Sequence, residues 1–77
     1  MAFKVLGSAV TNPSDNNIGR ATAVSVHVTS TQTCTVKNSG GTTLGTISLP
    51  AGIHKIIKDA TDTIAVTGSA TKIAHTD

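Results

Sequence analysis

Thr22-Ala23-Val24-Ser25-Val26-His27-Val28-Thr29-Ser30-Thr31 decides the fold. Val24, Val26 and Val28 fall two residues apart, with Ala23, Ser25, His27 and Thr29 between them, which is the period of a half-buried β-strand. The neighbouring segments repeat the pattern. Cys34 and Val36 alternate with Thr33, Thr35 and Lys37, and the run stops at Asn38-Ser39-Gly40-Gly41, whose residues tolerate the positive φ of a tight connection. Thr42 to Leu49 resumes as a strand with Gly45, Ile47 and Leu49 on one face, so residues 33–49 read as a hairpin.

Pro50-Ala51-Gly52 is a turn, and Ile53 to Lys58 carries apolar residues on both faces, the mark of a deeply buried strand or of one whose outer face meets a partner. Asp59 to Asp62 is a polar turn. Thr63–Thr67 and Ala70–Thr76 read as a final pair joined at Gly68 and Ser69. Toward the N-terminus, Phe3 to Val10 reads as an edge strand, and Thr11 to Gly19, with Asn12, Pro13, Ser14, Asp15, Asn16 and Asn17, as a loop. The expected fold is all-β, a small sandwich or barrel of six to seven short antiparallel strands. Residues 1–77 form one β domain, within which 1–20 is an extended N-terminal segment and loop.

Composition narrows the chemistry. Seven serines and fourteen threonines accompany a single phenylalanine and no tyrosine or tryptophan. The net charge of +2 is spread without a run of like charges. A nucleic-acid module needs clustered Lys and Arg, and a single-strand binder needs aromatic platforms, so nucleic acid is not expected as a partner. The same lack of aromatics counts against a carbohydrate- or surface-binding module. No segment has the apolar length of a membrane span, and Met1 to Val10 is too short in apolar residues for a signal-peptide core, so synthesis and folding in a cytoplasm are expected. With one cysteine there is no internal disulfide.

Candidate reactive groups do not assemble into a motif. No serine has glycine at both the −2 and +2 positions of a nucleophile elbow. His27, His54 and His75 match no local metal-ligand spacing. Asn38 to Thr43 lacks the Gly-Lys-Ser/Thr ending of a phosphate loop, Cys34 has no basic neighbour to activate it, and Asp59 with Asp62 falls short of a calcium shell. The expectation is a protein that is not an enzyme, with no catalytic residue, metal or cofactor. A chain of this size buries only about 60% of the surface its unfolded form exposes, which leaves a thin core and favours support from neighbouring chains. The apolar segments Phe3, Val5, Leu6 and Ile53, Ile56, Ile57 are the expected contact surfaces.

Four phrases carry a resemblance: Phe3-Lys4-Val5-Leu6-Gly7, Val36-Lys37-Asn38-Ser39-Gly40-Gly41-Thr42-Thr43-Leu44-Gly45-Thr46, Lys58-Asp59-Ala60-Thr61-Asp62-Thr63-Ile64 and Thr71-Lys72-Ile73-Ala74-His75-Thr76. Together the chain resembles the small β-rich virion proteins of tailed bacteriophages, particularly marine phages and cyanophages, with Ala60 where proline is expected and His75 where tyrosine is usual. The resemblance implies a non-enzymatic virion structural protein, foremost a capsid decoration or cement protein that binds the major capsid protein lattice as a homo-oligomer. A tail, neck or baseplate accessory protein contacting other virion proteins is the alternative. No functional residue is carried over by it.

Overall fold

The computed structural model describes residues 2–76. It is all-β, with eight strands: β1 (Ala2–Val5), β2 (Val10–Thr11), β3 (Ala23–Val28), β4 (Gln32–Lys37), β5 (Thr43–Leu49), β6 (Gly52–Ile57), β7 (Thr63–Ala65) and β8 (Ser69–Thr76). One sheet of five strands runs β1-β8-β3-β6, with β2 joining the same edge of β8 beyond β1; the other runs β5-β4-β7. All pairings are antiparallel. Eight strands replace the expected six to seven because Phe3–Val10 breaks at residues 6–9 into β1 and β2.

The core lies between the sheets. Val24, Val26 and Val28 of β3 meet Cys34 of β4, Leu49 of β5, Ile64 of β7 and Ala70 of β8, with Ile18 and Ala21 from the preceding loop. Val24, Val26, Val28, Cys34 and Leu49 sit at the alternate positions the sequence assigns to one face of their strands, so burial there follows the two-residue period. The registers Val24↔Ile56 and Val26↔His54 turn Ile56 inward, where it packs against the core half-buried.

Two segments depart from the sequence reading. Residues 63–67 and 70–76 do not form a hairpin: β7 pairs with β4 and β8 with β3, so Gly68 carries the chain from one sheet to the other. Its φ of +147° belongs to glycine, and a methyl group there would run into the carbonyl oxygen of His27. The Asn/Pro-rich stretch after β2, in turn, is a strap. Asn16 and Ile64 exchange both backbone hydrogen bonds (3.2 and 2.9 Å), Val66 N–H donates to Pro13 O (3.1 Å) and Asn12 N–H to Gly68 O (2.7 Å). The strap pairs the outer edge of β7 and closes that flank of the sandwich. It bends through positive φ at Asn12, Asp15, Ile18 and Arg20; at Ile18 this uncommon conformation is held by the N–H donating to Asn16 Oδ1 at 2.7 Å while the side chain enters the core.

Candidate functional site: an apolar sheet face and an open flank

The opposite flank stays open. It is bounded by β5, the edge of the smaller sheet, and β6, the edge of the larger one. The side chains of Leu44, Ile47, Ile53 and Ile57 on these two strands are all more than half exposed. Between the edges an open hollow of about 360 Å³ is lined by Cys34, Val36, Gly45 and Ile47 on one side and Ile57 and Lys58 on the other.

The larger sheet adds a second apolar surface on the face turned away from the core. The pairs Val5↔Ile73 and Ala23↔Ile57 put four apolar residues from β1, β8, β3 and β6 side by side. All four alternate with inward residues such as Val24 and Ile56, so they share the outer face. Ile73 and Ala23 are buried there without belonging to the core between the sheets, whereas Val5 and Ile57 stand 60% and 72% exposed at the ends of the row. Strand spacing places those ends roughly 14 Å apart. Ile53 extends the surface along β6, opposite His27.

Of the residues expected to form contacts, Val5, Ile53 and Ile57 therefore meet on one face. Ile56 is on the other face, against the core. Leu6 also turns from that face: its N–H donates to Lys72 O (2.9 Å) and its side chain borders a hollow with Val10, Ile18 and Lys72. Phe3 is in β1, and its side chain lies outside the described residues.

Sequence reasoning missed the role of Lys58. Following β6 on the inward-facing positions, it is 7% exposed, and its ammonium donates to Ala21 O (2.6 Å), Asn17 O (2.9 Å) and Asp59 O (3.2 Å). Its three donors thus have carbonyl partners. Burial lowers its pKa from the ordinary value, opposed by the carboxylates of Asp62 and Asp59. Asp62 accepts from Asp59 N–H (3.1 Å) and closes the turn. An inward lysine two residues after Ile56 was the available signal, and the hydrophobic run hid it.

The potentially reactive groups are dispersed. Cys34 is fully buried, and burial raises its thiol pKa. His27 and His54 occupy neighbouring strands but opposite faces, and His54 donates through Nε2 to Pro50 O at 2.7 Å. Among the described residues no group of three or more His, Cys, Asp or Glu is placed to hold a metal ion. Comparison with protein-family models, characterised proteins and solved structures gave no match to this chain.

Proposed function

We propose that this is a non-enzymatic structural protein of a tailed-phage particle, a decoration protein that docks on the lattice of the major capsid protein through the outer face of its five-stranded sheet. One observation carries the docking surface: the strand order brings Val5 and Ile57, 52 residues apart in the chain, onto one face on either side of Ile73 and Ala23. Exposed apolar side chains grouped on a single face favour association with another surface, and a small domain gains stability from each such contact. The virion assignment itself follows the resemblance of the four sequence phrases.

The test is binding of the purified chain to capsids of the phage that encodes it. Wild type is expected to cosediment with the shells. The double variant Val5→Asp, Ile57→Asp is expected to lose that binding while melting like wild type, since both side chains are exposed. Failure of the wild type to bind shells would overturn the reading, and binding to tails alone would move the protein to the tail.

A further inference from the structure

The backbone of β5 is directed outward at known positions. Because Asn16 exchanges both hydrogen bonds with Ile64, the backbone groups of Ile64 point away from β4, and Val36↔Ile64 is a non-hydrogen-bonded pair of the ladder. The next pair, Thr35↔Ala65, is then hydrogen-bonded, so the N–H and C=O of Thr35 point toward β7. Thr35 is also opposite Thr46 of β5; that pair is non-hydrogen-bonded, and Thr46 turns its N–H and C=O out of the sheet. Ser48, two residues on, does the same.

This edge lacks the usual protection. Edge strands are commonly guarded by lysine, proline or charge. Thr43-Leu44-Gly45-Thr46-Ile47-Ser48-Leu49 has none of these and is exposed over its first six residues. The β6 edge differs in carrying Lys55 at its centre.

The strand is also complementary to itself. In an antiparallel pairing centred on Thr46, Ile47 of each copy stands opposite Gly45 of the other, on the same face. Ile47 is 56% exposed, and nothing lies within 4 Å of where a Gly45 side chain would begin. The bulky residue therefore projects where its counterpart leaves space, beside the hollow lined by Cys34 and Val36. Thr46 faces Thr46, with both outward backbone groups in position to exchange two hydrogen bonds across a two-fold axis.

We infer that two copies of this chain join edge to edge through β5, antiparallel about Thr46, to make one continuous six-stranded sheet from the two smaller sheets. The surface used is separate from the outer face of the larger sheet, so the inference stands independently of the docking partner.

Sedimentation velocity on the full chain tests it, together with variants at position 46. Wild type is expected to run as a dimer at high concentration and to dissociate on dilution. Thr46→Pro removes the N–H donated across the axis but none used within the sheet, and should weaken the dimer about tenfold or more. Thr46→Lys sets like charges opposite one another and should do the same; it replaces Thr46→Pro if proline impairs folding. A short bis-maleimide should cross-link Thr46→Cys chains, but not Thr43→Cys chains, whose positions 43 would stand about 20 Å apart. A wild-type monomer at all concentrations, a dimer indifferent to both position-46 variants, or equal cross-linking at 43 and 46 would each overturn the inference.

Discussion

The ammonium of Lys58 lies 2.6 Å from the carbonyl oxygen of Ala21 and joins the end of β6 to the start of β3 from beneath the strap. Lys58→Met keeps most of the side-chain volume but leaves the carbonyls of Ala21 and Asn17 without this donor, so a loss of about 1–3 kcal/mol is expected in urea denaturation. The cost of burying the charge makes the effect depend on pH. The folded state holds this proton less tightly than the unfolded chain, whose lysine titrates near the ordinary 10.5. Between the lowered pKa and 10.5 the unfolded state binds more protons, and stability from this group rises with pH. The advantage of wild type over Lys58→Met should therefore widen as pH approaches 10.5; a constant or shrinking difference would contradict the arrangement.

Gly68 is the crossing point between the sheets. Gly68→Ala places a methyl group against the His27 carbonyl at a φ of +147°. The expected cost is about 2–4 kcal/mol, seen in thermal melts as a fall in Tm on the order of 10 °C or more. Gly7→Ala, whose added carbon would meet only Lys72 Cβ at an ordinary 3.7 Å, is the control and should leave Tm nearly unchanged.

Cys34 reports on the core. Fully buried and with a raised thiol pKa, it should react with a thiol reagent only as fast as the sandwich opens, and rapidly in denaturant. Above pH 9.0 the unfolded thiol loses its proton while the folded one keeps it, so the stability contributed by this group falls as pH rises. Cys34→Ala should remove that part of the alkaline decline. Labelling of the native protein at the rate of a free thiol would contradict the burial.

The alternation in residues 22–31 was enough to mark β3 as a half-buried strand, because Val24, Val26 and Val28 fall two residues apart. The connection at Gly68 was not legible. Two adjacent strands with Gly-Ser between them look like a hairpin, and only the long-range pairings of β7 with β4 and of β8 with β3 show the chain leaving one sheet for the other. Asn12 to Asn17 reads as a loop by composition, yet its backbone pairs with β7, and backbone pairing leaves no side-chain signature. Leu49 and Ile47 look equivalent in sequence, but Ile47 lies farther along an edge strand that overhangs the core.

The candidate site was legible in parts. Val5, Ile53 and Ile57 could be singled out as apolar residues in excess of a small core. That Val5 and Ile57 share a face depends on β8 and β3 lying between them, a long-range strand order that local periodicity does not encode. Leu6 and Ile56 were grouped with them for the same reason, although each turns to the opposite face.

Counting this chain in purified particles, by quantitative mass spectrometry against the major capsid protein, tests the central claim most directly. Docking on the shell predicts a fixed ratio to the major capsid protein that drops when Val5→Asp, Ile57→Asp replaces wild type. Absence from the particle, or a copy number that follows the tail proteins and ignores the outer-face variant, would contradict it.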